Sequence, residues 1–151
     1  MASTGRLLVV GTPLGNLGDF SERAKEALVH ADLILAEDTR HSRPLLDIIG
    51  ATAKAISCHQ HNEEERLKVV LERLQAGDTV ALITDAGAPA VSDPGGKIVE
   101  GVAAQGGRIE VVPGPSAPIA ALMGAGLDTT RFTFLGFLPR KGRSRVDALK
   151  A

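Results

Sequence analysis

Five short apolar runs punctuate the chain: RLLVV (Arg6 to Val10), ADLILA (Ala31 to Ala36), AKAISC (Ala53 to Cys58), TVALIT (Thr79 to Thr84) and RIEVV (Arg108 to Val112). Between them lie stretches of helical periodicity. Asp19 to His30 reads as one amphipathic helix, and SRPLLDIIG as a second that stops at Gly50. Asn62 stands where it can cap a third, EEERLKVVLERLQAG, whose Leu67, Val70, Leu71 and Leu74 share one face and which ends at Gly77. A fourth runs to about Gln105, and the small-residue stretch IAALMGAG forms a fifth. Strand–helix alternation of this kind closes into an open, mainly parallel five-stranded α/β sheet with helices on both faces. The composition agrees: with no Trp, no Tyr and four Phe, the core is aliphatic, as buried parallel strands require. RFTFLGFL (Arg131 to Leu138) reads either as an edge strand or as a bridge to something further on.

In such sheets ligands sit beyond the carboxyl ends of the strands. All the polar or glycine-rich clusters fall there: Thr12 to Gly18, Glu37 to His41, His59 to Asn62, Asp85 to Pro94 and Pro113 to Ser116. Their shared rim predicts one site. The first loop, GTPLGNLG, is not a dinucleotide fingerprint. Pro13 holds the place of the glycine that admits a pyrophosphate, and proline has no N–H to offer. No Gly-Lys-Ser/Thr triplet occurs either. Glu37 and Asp38 after the second run have two readings, a ribose or proton-handling pair, or a helix cap with an acid–Arg partner. Cys58, His59 and His61 lack the paired spacing of a zinc site, and no metal is expected.

Other classes are set aside on simple grounds. The single Cys58 permits no internal disulfide and suits a reducing cytoplasm. The segment MASTGR lacks a signal peptide's apolar core, and no run approaches membrane length. Net charge is −1, but residues 131–151 carry +5 and the rest −6. This basic segment is either a solvated linker or a phosphate-contacting one.

VGTPLGNLGDFSERA, LAEDTRHS, HQHNEEER, ITDAGAPAVSDPG and VVPGPSAPIAAL, in this order and spacing, resemble the motifs of the ribosomal small-subunit RNA 2′-O-ribose methyltransferase I family, within the tetrapyrrole-methylase-like superfamily. The resemblance extends from Leu7 to about Leu149. It implies methyl transfer from S-adenosyl-L-methionine to the 2′-hydroxyl of a cytidine in small-subunit (16S) ribosomal RNA, with the 30S subunit or its RNA as partner, a homodimer and a cytoplasmic location. Family members are nearly twice as long. Residues 1–138 therefore read as an N-terminal α/β methylase domain, and residues 139–151 as a basic linker and the start of a C-terminal domain. On that expectation the chain supplies half of the active site and does not catalyse alone. Thr84 and Ala88 depart from the family's Ser and Thr, and Cys58 and Gln60 from its usual neighbours.

The resemblance further places the donor against Thr12, Pro13, Asp85, Ala86, Gly87, Ala88, Pro89, Val91, Ser92, Pro115, Ser116 and Ala117. Asn16 is a candidate for orienting the 2′-hydroxyl, and Glu37, Asp38 and His41 for accepting its proton or orienting the substrate. Imidazole is the side chain best suited to proton exchange near neutral pH. Arg40, Arg140, Lys141 and Arg143 are candidates for phosphate contacts. Two other readings are a tetrapyrrole-type small-molecule methyltransferase and a non-catalytic nucleotide-binding domain.

Overall fold

Buried strands come first in the assembly. In the computed structural model, which describes residues 5–150, β1 (Arg6–Val10), β2 (Leu33–Ala36), β3 (Lys54–Ser57), β4 (Thr79–Ile83) and β5 (Arg108–Val112) form one sheet in the order β3-β2-β4-β1-β5. Every pairing is parallel, with Leu8 opposite Ala81 on one side and Glu110 on the other. Between the strands run α1 (Glu22–Val29), α2 (Thr39–Ile49), α3 (Glu63–Gln75) and α4 (Gly96–Ala104).

Alternation along each strand divides the core in two. Leu8, Val10, Ile34, Ala36, Ala81 and Ile83 pack with Ala24 and Leu28 of α1 and Leu46 of α2. Leu7, Val9, Leu33, Leu35, Val80 and Leu82 pack with Val70 and Leu74 of α3 and Ile98 and Val102 of α4. Each fully buried Leu, Ile or Val contributes about 1.5–3 kcal/mol, so this aliphatic sandwich is the main source of stability. The expected α/β class and helices on both faces are present.

Several boundaries differ from the sequence reading. The first helix begins at Glu22, not Asp19. Ser21 caps it by accepting from Ala24 N at 3.1 Å, and Leu17–Asp19 form a separate 3₁₀ turn. Asn62 occupies the cap position of α3 but makes no capping bond. Its Oδ1 accepts from His59 N (2.8 Å) and its Nδ2 donates to the Ser57 carbonyl (3.1 Å), so the side chain ties down the β3–α3 loop instead.

The chain divides into two compact units, residues 1–117 and 118–151. The first holds the sheet and α1 to α4. The second holds most of α5 (Ala117–Gly124) and α6 (Arg143–Lys150), and neither helix has a buried residue. RFTFLGFL forms no strand. Gly136 sits at φ 69, in the left-handed region, which interrupts the pleat a strand needs; the stretch is irregular rather than an edge strand.

Candidate functional site

The loops leaving β1 and β4, adjacent strands, depart toward opposite faces, since α1 lies in one core and α4 in the other. Such a divergence opens a crevice at the strand ends. Here the crevice is laced by backbone. Gly11 N donates to Val112 O at 2.9 Å, joining the β1 and β5 ends. Thr12 and Gly87 exchange both backbone bonds, at 2.9 and 3.1 Å, joining the β1 and β4 loops. The amides of Gly11 and Thr12 are thus engaged within the protein, and Pro13 has none. The opening loop has no early N–H groups with which to cradle a phosphate.

Glycine permits two of these approaches. A Cβ on Gly11 would lie 2.6 Å from Gly114 N, and one on Gly114 would lie 2.9 Å from the Gly11 backbone. Gly87 has φ +85, and its Cβ would come within 3.1 Å of Leu14 Cδ2 and 3.6 Å of the Pro115 carbonyl. A side chain there would fill the gap among the loops after β1, β4 and β5. Two residues that are not glycine, Ala90 (φ 64) and Ser92 (φ 56), also adopt left-handed backbone in the β4 loop. Conformations of this kind cost on the order of 1 kcal/mol each and are held only where the surroundings over-determine them. One anchor is Glu63 of α3, which is buried and accepts from Gly95 N (2.7 Å) and Lys97 N (3.2 Å) at the start of α4. It stands in a run of three glutamates, and nothing in the run distinguishes it from its exposed neighbours.

Carboxylates gather on the same rim. Glu37 Oε2 accepts from the Thr84 hydroxyl at 2.7 Å and from Asp85 N at 3.5 Å, while Asp38 N donates to Asp85 Oδ1 at 3.2 Å. The Thr84 hydroxyl also lies 3.1 Å from Asp93 Oδ2. One hydroxyl proton cannot serve two carboxylates. The hydroxyl donates to one of them at a time, and Glu37 is the nearer. Burial pushes Asp93 above the ordinary carboxylate range; the Thr84 bond opposes that, and the charges of Glu37 and Asp85 reinforce it. Thr84 was read only as a departure from a motif, and Asp93 as loop; in the fold they join the loops after β2 and β4.

Asp38 takes the plainer of its two readings. It caps α2 by accepting from Arg40 N at 2.9 Å and pairs with the Arg40 guanidinium at 3.0 and 3.2 Å. The Arg40 side-chain bond, ahead of the backbone bonds, holds its carboxyl down at about 2, which makes it a weak proton acceptor. Asn16 is exposed, with Oδ1 accepting from Gly18 N at 2.9 Å. Thr12 is buried, and its hydroxyl donates to Thr84 O at 3.3 Å. His41 is exposed at the mouth of a cavity of about 380 Å³ walled by Pro13, Leu14, Leu45, Thr84 and Asp85. Ala86 lines this cavity too; Val91 and Ser92 are exposed, Pro89 is buried, and Pro115 and Ser116 lead into α5. Arg140, Lys141 and Arg143 are exposed in the second unit. Cys58 is buried, and desolvation pushes its thiol up to about 11, so it is inert near neutral pH; His59 and His61 are exposed with rings 6.0 Å apart.

A larger cavity, about 490 Å³, opens between α1 and the edge strand β5, from Arg6 and Thr79 at the amino ends of β1 and β4 to Val112 at the carboxyl end of β5. Arg6 and Glu110 on its wall are paired with each other at 3.3 Å. It holds none of the loop clusters.

Comparison with known proteins matches this geometry. The model of the tetrapyrrole (corrin/porphyrin) methylases matches residues 6–151. A protein of Escherichia coli O157:H7 named ribosomal RNA small subunit methyltransferase I is 47% identical over 99% of this chain and 52% of its own length. One of the same name from Pseudomonas aeruginosa is 49% identical over 99% of this chain and 53% of its own. The chain therefore spans about half the length of these curated relatives. Among solved structures, uroporphyrin-III-C-methyltransferase from Thermus thermophilus superposes with a TM-score of 0.63 at 24% identity, covering 84% of this chain and 54% of that one, a likeness of fold. With the parallel sheet, its order and the loop-laced rim in place, the chain belongs to the tetrapyrrole (corrin/porphyrin) methylase family.

Proposed function

We propose that the protein carrying this chain is an S-adenosylmethionine-dependent methyltransferase acting on the 2′-hydroxyl of a cytidine in small-subunit ribosomal RNA. The observation that carries this reading is near-half identity, over almost the whole chain, to proteins named for small-subunit ribosomal RNA methylation. In this reading residues 1–138 are a methylase domain. Residues 139–151 are a basic linker into a further domain that completes the site. The protein works in the cytoplasm as a homodimer on the 30S subunit or its RNA.

Bound at the rim, the donor supplies an electrophilic methyl group for in-line displacement. The chain's own residues bind, orient and move a proton. Gly87 and its small neighbours Ala86 and Ala88 give the donor close access to backbone, and the gap a Cβ would fill fits that role. Pro13, Asp85, Pro89, Val91, Ser92, Pro115, Ser116 and Ala117 complete the proposed donor contacts on this side, while Thr12 holds the loops together. Alignment of oxygen, carbon and sulfur accounts for much of the rate in reactions of this type, on the order of 7–11 kcal/mol in favourable cases. The 2′-hydroxyl must also lose its proton. Glu37, anchored by Thr84, and His41 at the cavity mouth are the acceptors this reading favours over Asp38. Asn16 orients the ribose, and Arg40, Arg140, Lys141 and Arg143 meet phosphates.

The test is transfer of tritiated methyl from S-adenosylmethionine by the full-length protein. Label is expected in small-subunit RNA, at a ribose that becomes alkali-resistant. Label in a small tetrapyrrole with none in RNA would reject the substrate. Tight binding of a nicotinamide dinucleotide, with no affinity for S-adenosylmethionine or its demethylated product, would reject the activity.

A further inference from the structure

The motif HQHNEEER stands where β3 passes into α3. The Ser57 carbonyl accepts from Asn62 Nδ2 at 3.1 Å and from Arg66 Nε at 2.7 Å, which fixes the start of α3 on the end of β3. Leu67, one turn past Glu63 on the same face, packs so closely on Gly101 of α4 that a Cβ there would collide with Leu67 Cδ2. Between these fixed points Glu63 is 7% exposed, and its Oε1 accepts from Gly95 N at 2.7 Å and Lys97 N at 3.2 Å. The N-cap position of α4 is Gly95, which has no side chain to offer the first N–H groups. A capping residue does not fit there, because φ is +111 and a Cβ would lie 2.6 Å from Leu82 Cδ2. The cap therefore comes across from α3.

The consequence lies upstream of Gly95. The β4 loop is tied near its start, where Gly87 exchanges backbone bonds with Thr12, and near its end, where Asp93 meets the Thr84 hydroxyl. Between those ties Ala90 and Ser92 hold left-handed backbone, Ala90 N is bonded to Pro94 O at 3.3 Å, and the Val91 and Ser92 side chains are exposed. Two residues other than glycine stay in that region only while both ends of the segment are held. The Asp93 tie depends on a hydroxyl proton shared with Glu37. The firmer one is the pair of bonds from Glu63 at Gly95 and Lys97. Glu63 does not line the rim cavity, so it acts on the shape of the loop and not on a ligand.

We propose that Glu63 is a positioning residue for the donor: by capping α4 from α3 it holds Gly87 to Ser92 in the shape that admits S-adenosylmethionine. This rests on the methyltransferase reading, in which that stretch contacts the donor.

The experiment compares wild type, Glu63→Ala, Glu63→Asp and Glu63→Gln in the full-length protein, with Asp32→Ala as a variant weakened at the amino end of the sheet. It measures the Kd for S-adenosylhomocysteine, KM for 30S subunits at saturating donor, Tm, and hydrogen exchange of residues 86–92 without ligand. In Glu63→Ala the Kd rises about tenfold, the scale of one hydrogen bond to a charged group, while KM for 30S subunits stays within twofold. Exchange at residues 86–92 quickens. Glu63→Asp, one methylene short of Gly95, moves the same way and carries the test if the alanine variant does not fold. Glu63→Gln keeps an oxygen for both N–H groups and restores the affinity. Asp32→Ala lowers Tm and leaves the Kd and the exchange of residues 86–92 as in wild type. Wild type that neither binds S-adenosylhomocysteine nor methylates 30S subunits would reject the methyltransferase reading, and the donor role with it. In a wild type that binds, a Kd within twofold in the folded variants, unchanged exchange, or a loss that glutamine does not restore or that Asp32→Ala matches would overturn the proposal alone.

Discussion

The two ends of the sheet are built from the same strands and could hardly differ more in how their polar groups are settled. At the amino end Gly5 N bonds Leu74 O and Arg6 N bonds Asp78 O. Asp32 Oδ2 accepts from Thr79 N at 2.8 Å, Arg73 pairs with Asp78 and Arg6 with Glu110. Each of these groups has a partner within the protein, Arg73 Nε through its charge pairing with Asp78 alone. At the carboxyl end one hydroxyl proton stands between two carboxylates, Ser42 has no partner, and Ala90 and Ser92 hold left-handed backbone. The larger cavity lies between α1 and β5, and Arg6, Arg23 and Glu110 on its wall are bonded within the protein. An unpartnered hydroxyl, a shared proton and left-handed backbone, rather than volume, distinguish the carboxyl end.

The strongest way to break this contrast is at its two glycines. A Cβ on Gly5 would lie 2.3 Å from the Asp78 carbonyl, and one on Gly11 2.6 Å from Gly114 N; both contacts are backbone and cannot yield by a rotamer change. Gly5→Ala and Gly11→Ala are each expected to cost about 3 kcal/mol and to lower Tm by roughly 6–12 °C in a thermal melt. Only Gly11→Ala should also weaken donor binding per folded molecule. Equal binding losses at both ends would erase the distinction.

Side chains give a sharper test. Thr84→Val removes the hydroxyl that Glu37 and Asp93 share. A bond to a charged group is worth about 1.5–3 kcal/mol, so kcat/KM should fall roughly 10–100-fold, with Thr84→Ser near wild type. Asp32→Ala, at the amino end, removes the acceptor for Thr79 N and should cost about 1 kcal/mol in denaturant unfolding, with kcat/KM unchanged.

The smallest effect concerns Asp93. Its carboxyl titrates higher in the fold than its ordinary 3.8. Below the ordinary value it is neutral in both states and costs nothing. As pH rises through the raised value, ionisation favours the unfolded chain and stability is lost. Asp93→Asn keeps an acceptor oxygen toward Thr84 without a titrating group and escapes that loss. Its Tm difference from wild type should be flat in acid and grow positive toward neutral pH. A difference that shrinks as pH rises would mean that Asp93 is stabilised as an anion.

Much of this was legible in the chain. Aliphatic runs of strand length separated by amphipathic helices dictate a two-faced parallel sheet, because each element must bury its apolar side and parallel strands need crossovers. The position of the loops on one rim follows from that topology. So does the exclusion of a phosphate cradle, since Pro13 lacks an N–H wherever it folds. The family motifs were readable because they are contiguous.

What tertiary structure alone decided depends on contacts between distant residues. Asp38 became a cap partnered by Arg40 while Glu37, its neighbour, turned to Thr84, 47 positions away. Local sequence offers both acids the same choices. Glu63 was selected from three adjacent glutamates because only it reaches Gly95. RFTFLGFL has strand composition and no partner strand, and a strand exists only where another supplies its hydrogen bonds. Ser42 is an ordinary helical serine until packing removes it from water and leaves its hydroxyl unmatched. Periodicity fixes which face of an element is buried. Which polar group meets which other one is set by chain closure over tens of residues, and no local pattern encodes it.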